Sequence, residues 1–347
     1  MNAFGLRSVL RVAAHLAFAM VAAGLGASLA AQEAPATPPP AAQGRSDLTV
    51  DALSVVKVKS KAVANARSTR ALGTQREGTG VVIDSEGLVL TIGYLITEAE
   101  TVELSTADGK SFPATVVGYD NATGFGLLKA LRPLPVNPVQ FGQSASIGER
   151  ELVLIVGFDG VAPAYVVSRR PFVGYWEYLL EEAIYTAPAT VNWSGAALLN
   201  REGKLLGIGS LVVGDAMGTR AQQVPGNMFV PIDLLKPLLG DLIATGRSSA
   251  RPRPWIGVNT QEVQGNVIVT RVTTEGPAED ASIRAGDVLV GIGGQPVRGQ
   301  ADFYVKLWKS GDAGVDIALE VLREGRVEKV TVKSIDRDRH FRTKATY

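Results

Sequence analysis

The chain has 347 residues, 35 Lys plus Arg against 34 Asp plus Glu, and 46% hydrophobic residues. That length accommodates about two domains, and the apolar content excludes a wholly disordered chain. A formal net charge of +1 gives no basis for nucleic-acid binding, which needs clustered Lys and Arg. The absence of Cys excludes disulfides, Cys-ligated metal, iron–sulfur clusters and thiol nucleophiles.

In chain order, residues 1–31 read as a secretory signal. Arg7 and Arg11 precede an apolar stretch from Val12 to Gly26, and small residues Ala27, Ser28, Ala30 and Ala31 suit a cleavage site. The apolar stretch is about 15 residues, short of the roughly 20 that span a bilayer. Cleavage is therefore expected, leaving no integral membrane segment, with the mature protein exported to the periplasm. Residues 32–48, with Pro35, Pro38, Pro39 and Pro40, read as an exposed Ala/Pro-rich linker.

Residues 49–240 show short apolar runs broken by Gly, Asp and Asn. Val81-Val82-Ile83, Leu88-Val89-Leu90, Leu152 to Val156 and Leu205 to Ile208 are of strand length. Turn signals such as Asp84-Ser85-Glu86-Gly87 separate them, which predicts antiparallel barrels or sandwiches. Pro231 to Leu235 is expected to open a short helix. Residues 241–253 read as a linker, 254–335 as a smaller mixed α/β unit, and 336–347 as a polar, frayed tail. In the smaller unit, Asp302 to Lys309 reads as a helix with Phe303 and Leu307 on one face. Lys57, Lys59 and Lys61 alternate with valines, and with Arg67, Arg70 and Arg76 they read as an exposed basic face and loop.

Asn192-Trp193-Ser194-Gly195 can present a hydroxyl on a turn, with backbone N–H groups nearby as an oxyanion hole. The order of pieces around it resembles the HtrA/Deg family of serine proteases. Gly78 to Asp84 followed by Gly87 to Thr91, then Asp108 to Ala114 with Val117 to Asp120, are similar to the family's barrel opening. Ser194-Gly195 with Leu198-Leu199-Asn200 resembles its nucleophile region, and Phe229 to Asp233 its strand-to-helix exit. The resemblance implies a mainly β chain, a trypsin-like double β-barrel followed by a small α+β PDZ-like domain.

The departures fall on the chemistry. Where the family places its histidine this chain has Tyr94, and where it places its aspartate the chain has Gly124. Ser194 stands at the nucleophile position, with Asn192 and Ser194 at the oxyanion-hole position. A serine hydroxyl needs a base to take its proton. A phenol with pKa near 10 is protonated at neutral pH and cannot serve as one. His15 and His340 are the only histidines, one in the leader and one in the tail, so no shift of alignment brings one into the barrel core. A catalytically impaired pseudo-protease is the leading expectation. The alternative is an active serine endopeptidase that uses Ser194 with Lys129, Lys204 or His340 as an unconventional base.

Trp255-Ile256-Gly257-Val258, Gly276-Pro277-Ala278 and Arg284 to Leu289 resemble the carboxylate-binding loop and helix–loop–strand signature of PDZ modules. The resemblance implies that peptides or protein C-termini add as a strand to a sheet edge, their carboxylate held by backbone N–H groups. Ile256, Gly257, Val258, Phe303 and Leu307 are the expected peptide-binding residues, with Phe303 and Leu307 open to a plain core role as well. No cofactor and no metal are expected. Self-association or an active protease relative are the other candidate partners. The family's aromatic trimer motif has no counterpart, since no Phe, Trp or Tyr occurs between Gln32 and Gly93.

Overall fold

The computed structural model describes residues 53–219 and 223–341. The expected signal and Ala/Pro-rich linker lie outside the described residues, as do residues 342–347.

Six strands close the first barrel in the order β1-β2-β3-β6-β5-β4. They are β1 (Val55–Ala62), β2 (Gln75–Val82), β3 (Leu88–Ile92), β4 (Ala99–Ser105), β5 (Ser111–Tyr119) and β6 (Phe125–Ala130). Strand β1 follows the two-residue period: Val56, Val58, Ser60 and Ala62 are buried, while Lys59 and Lys61 face out. The second barrel closes as β10-β11-β12-β9-β8-β7. Its strands are β7 (Leu152–Gly157), β8 (Gly160–Gly174), β9 (Tyr178–Ala187), β10 (Ala197–Leu199), β11 (Leu205–Val213) and β12 (Gly226–Pro231).

One hydrophobic core runs through both barrels, joining Leu90 and Leu127 of the first to Ala197, Ile208 and Met228 of the second. Strands β3, β6, β10 and β12 are therefore buried on both faces almost throughout, and they read in sequence as continuous apolar runs rather than alternation. A separate core around Ile155, Ile184, Leu198 and Phe229 fills the second barrel.

The carboxyl-terminal domain is a sheet in the order β13-β14-β15-β17-β18, with a short β16 beside β15. These are β13 (Val258–Val263), β14 (Asn266–Val272), β15 (Val288–Ile292), β16 (Gln295–Pro296), β17 (Asp316–Arg323) and β18 (Arg326–Lys333). Two helices pack on it, one at Pro277–Asp280 and a longer one at Gln300–Lys309, over Ile256, Val269, Leu289 and Leu319.

Three boundaries differ from expectation. Pro231 opens only a 3-10 turn, Ile232–Leu234, and a helix follows at Leu239–Thr245. That helix runs into the expected linker because Leu242 is fully buried and anchors it. Gly246 then caps it with φ +77 and accepts a hydrogen bond from Tyr119 N at 3.1 Å. The helix of the smaller domain starts at Gln300 rather than Asp302, the first turn being polar and invisible to an apolar pattern. Residues 336–341 are not frayed. His340 is buried, its ring 4.9 Å from that of Trp255, and its carbonyl accepts from Arg67 of the first barrel.

Candidate functional site

Ser194 lies where the two barrels meet. Its carbonyl accepts from Thr79 N of β2 at 2.8 Å, and Gly195 N donates to Gly209 O of β11 at 2.9 Å. Two glycines permit this closeness. At Gly195, which has φ +73, a Cβ would lie 2.1 Å from Thr79 O. At Gly78 a Cβ would lie 2.9 Å from Ser194 Oγ. The chain thus presses the hydroxyl turn against the first barrel, where Tyr94 stands.

Tyr94 sits in the 3-10 turn Gly93–Leu95 directly after β3. Its Oη is 3.0 Å from Ser194 Oγ and 3.0 Å from Ser210 O. A phenol has one hydrogen and a carbonyl only accepts, so that hydrogen goes to Ser210 and the Ser194 hydroxyl donates to the phenol oxygen. Burial drives the Tyr94 pKa above the ordinary phenol value, outweighing the opposing hydrogen bond with Ser194. The oxygen facing Ser194 accepts a hydrogen bond but has no capacity to take the proton at neutral pH.

Gly124 faces the same turn through its backbone, its carbonyl accepting from Gly93 N at 2.7 Å. It has φ +84, and a Cβ there would meet the Tyr178 hydroxyl at 3.4 Å. The carboxylate nearest in sequence, Asp120, accepts from Thr123 N (2.7 Å) and Thr123 Oγ1 (2.6 Å), closing its own turn. The structure therefore brings Ser194, Tyr94 and Gly124 to one place, with a second phenol beside the glycine.

The oxyanion-hole position is also engaged. Asn192 N donates to Thr190 Oγ1 at 3.3 Å, and the Asn192 carbonyl packs against Gly157, where a Cβ would lie 2.6 Å away. The Trp193 ring lies 6.3 Å from the Tyr94 ring. The candidate replacement bases are held elsewhere. Lys129 ion-pairs with Glu86 at 3.3 Å, Lys204 is exposed on its turn, and His340 packs on Trp255. Burial and the Arg67 charge lower the His340 pKa.

Arg76, expected on an exposed basic face, is instead buried. It donates to the carbonyls of Tyr94 (3.1 Å) and Thr97 (2.5 Å) and to Ser68 Oγ (2.7 Å), pinning the turn that carries Tyr94. Burial lowers its pKa despite the favourable Glu98 charge. Nothing in the spacing of basic residues distinguishes it from Lys59 or Lys61. The signal that could have found it is its place in β2, on the inward side of the two-residue alternation.

In the smaller domain, Ile256, Gly257 and Val258 form a cradle of three successive N–H groups. All three donate to the carboxylate of Glu177, at 3.2, 2.7 and 2.9 Å respectively. Glu177 comes from the turn between β8 and β9 of the second barrel, and burial pushes its pKa up to about 7 against the pull of those donors. Phe303 and Leu307 do not make the polar contacts of this groove. Both are fully buried in the domain core, while Gln300 and Tyr304 from the same helix reach the β8–β9 turn. The reason is helical spacing: Gln300 and Tyr304 are four residues apart on one face, and Phe303 and Leu307 occupy the neighbouring face over the sheet.

Among the described residues no group of three or more His, Cys, Asp or Glu could hold a metal ion. No described helix is long and apolar enough to cross a membrane.

Comparison with known proteins places these two sites in domains of known type. Residues 78–208 match a trypsin-like peptidase domain and residues 254–334 a PDZ domain. The chain is 29% identical over 281 residues to the "Probable periplasmic serine endoprotease DegP-like" of Pseudomonas savastanoi pv. phaseolicola, covering 75% of this chain and 56% of that protein. It is 27% identical over 278 residues to the "Probable periplasmic serine protease do/HhoA-like" of Haemophilus influenzae, covering 74% and 57%. It therefore spans little more than half the length of these relatives. Among solved structures, the HtrA-type protease AlgW with decapeptide aligns with a TM-score of 0.50 at 21% identity, covering 84% of this chain and 97% of that one. The chain thus carries a trypsin-like peptidase domain followed by a PDZ domain, and its similarity runs to serine proteases of the HtrA/DegP type.

Proposed function

We propose that the chain is an exported, periplasmic pseudo-protease of HtrA type. Its barrels serve as a scaffold, and its PDZ domain binds peptides or protein C-termini, as a regulator, scaffold or quality-control factor. The observation that carries the reading is the pair Tyr94 Oη and Ser194 Oγ, 3.0 Å apart, with a protonated phenol where a base is required. Removing serine or histidine from an intact triad lowers turnover by about a millionfold, and here the histidine position and the aspartate position are both replaced. The engaged Asn192 N–H adds to the deficit, because stabilisation of an oxyanion requires donors free to turn toward it.

Binding requires none of those side chains. In strand addition the affinity comes from main-chain hydrogen bonds along a sheet edge and from N–H groups around a carboxylate. The Ile256–Val258 cradle and β13 supply both. The periplasmic relatives support the compartment, and the PDZ match supports peptides as the ligand class. A fluorophosphonate probe tests the barrel half of the reading. The expected result is no labelling of Ser194 under conditions that label an intact trypsin-like protease. Stoichiometric labelling would replace the reading with a serine endopeptidase using an unconventional base.

A further inference from the structure

We propose that the turn between β8 and β9 is an internal ligand of the PDZ groove. Glu177 presents its side-chain carboxylate to the Ile256–Val258 cradle where an incoming chain terminus would place its own. An external peptide then binds by displacing this turn. The inference rests on the peptide-binding reading above for the identity of the competing ligand, and on the geometry alone for the contact itself.

The contact reproduces peptide recognition on each side of the groove. At the carboxylate end, three consecutive N–H groups converge on one carboxylate that is only 5% exposed. Along the strand edge, Thr260 N of β13 donates to Tyr175 O at 2.8 Å, a main-chain bond of the kind that strand addition makes. On the helix side, Gly174 O accepts from Tyr304 Oη at 2.9 Å and from Gln300 Nε2 at 3.3 Å, and Glu177 N donates back to Tyr304 Oη at 3.2 Å. Val173 and Leu179 flank the turn and pack against the PDZ core.

The residue at this position is chosen against local preference. Glu177 has φ +55, a conformation in which Gly, Asn or Asp is the usual occupant. A glutamate placed there by turn chemistry alone is unfavourable, but its longer side chain reaches the cradle. The turn is also aromatic, with Tyr175, Trp176 and Tyr178 around the glutamate, whereas hairpin tips that face water are usually small and polar. Both features follow if the turn is built to be bound rather than solvated.

A tethered ligand acts at an effective concentration of about millimolar or higher. If the groove is open for about one molecule in a hundred, the apparent affinity for any external peptide falls about a hundredfold. Glu177 therefore sets the threshold that a ligand must exceed.

The test uses the full chain, its Glu177→Ala variant and a fluorescent peptide copying residues 169–177 with a free carboxylate, alongside its amidated form. Hydrogen exchange of the Ile256, Gly257 and Val258 amides reads the internal contact directly. Expected in Glu177→Ala are exchange at least tenfold faster at those amides, and peptide binding at least tenfold tighter than in the parent and abolished by amidation. Unchanged exchange in Glu177→Ala overturns the internal ligand, and the peptide-binding reading survives if the parent already binds the peptide as tightly. Faster exchange without peptide binding in either protein keeps the internal contact and overturns the peptide reading. Tyr304→Phe, which removes the hydroxyl over Gly174 without emptying the cradle, should give a smaller change in the same direction. It decides the matter if Glu177→Ala fails to fold.

Discussion

The barrel site and the PDZ groove are opposites in construction. At Ser194 a hydroxyl stands 3.0 Å from Tyr94, and its chemistry would depend on the side chains around it. In the groove the Glu177 carboxylate is held by backbone N–H groups of Ile256, Gly257 and Val258, which every non-proline residue carries. A triad disappears with a single substitution, since its function depends on the pKa of one imidazole. A cradle of main-chain donors persists as long as the loop keeps its shape. On the reading proposed above, binding in one domain therefore outlasts hydrolysis in the other.

Restoring side chains to the barrel is the strongest way to break that contrast. Tyr94→His with Gly124→Asp should still leave peptide cleavage about a hundred- to a thousandfold below an intact triad, the cost of one oxyanion donor held elsewhere. Asn192 N is already bonded to Thr190 Oγ1, and the Trp193 ring lies 6.3 Å from that of Tyr94. Efficient cleavage of a fluorogenic peptide by the double variant would show that the missing side chains are the whole deficit. Next in size, Phe303→Ala should destabilise the PDZ domain by about 4 kcal/mol, the range for removing a fully buried ring. Urea unfolding followed by Trp255 and Trp308 fluorescence would report it; a change below about 1 kcal/mol would return Phe303 to the groove wall.

Arg76→Ala should cost about 3 kcal/mol, because it leaves the buried Tyr94 and Thr97 carbonyls without a donor. Chemical denaturation measures it, and a neutral result would mean that the Tyr94 turn is held by other bonds. The smallest effect expected is a dependence on pH. Docking raises the Glu177 pKa from an ordinary 4.5 to about 7, so the docked turn binds a proton more tightly than the free one. Arg337, whose charge lowers that value, and the Tyr304 hydroxyl are the other groups facing it, and the hydroxyl stays protonated throughout. Docking is then firmest below the free carboxylate pKa, loosens as pH rises toward 7, and levels off above. Protection of the Ile256, Gly257 and Val258 amides, corrected for intrinsic exchange, should fall about fortyfold between pH 5 and 7. Protection that rises over that interval would mean that the N–H donors outweigh desolvation.

Much of this architecture is legible in the sequence, for a physical reason. Strands buried on both faces, such as Leu88–Ile92 and Phe125–Ala130, need unbroken apolar runs, and those runs stand out. Ser194, Tyr94 and Gly124 are proposed from the order of motifs; Tyr94 and Ser194 stand 3.0 Å apart, and the Gly124 carbonyl accepts from Gly93 N beside Tyr94. Arg76 escaped because burial of a cation depends on carbonyls supplied by a turn nearly twenty residues away, and its one local trace is its inward place in the alternation of β2. Glu177 escaped for the same reason across a longer interval, its donors lying about 80 residues on. Its one local sign was an aromatic turn with an acidic residue where glycine or asparagine is the usual choice. The ordered stretch at 336–341 was hidden too, since its polar residues are held by Trp255 and Arg67 rather than by a pattern of their own.

The most direct measurement compares casein digestion by the purified chain with that by its Ser194→Ala variant, at neutral pH and over hours. The expected result is that neither digests casein, so that removing the Ser194 oxygen changes nothing. Digestion by the parent that stops in Ser194→Ala would contradict it, and would require a base within reach of a hydroxyl whose side-chain neighbour is a buried phenol.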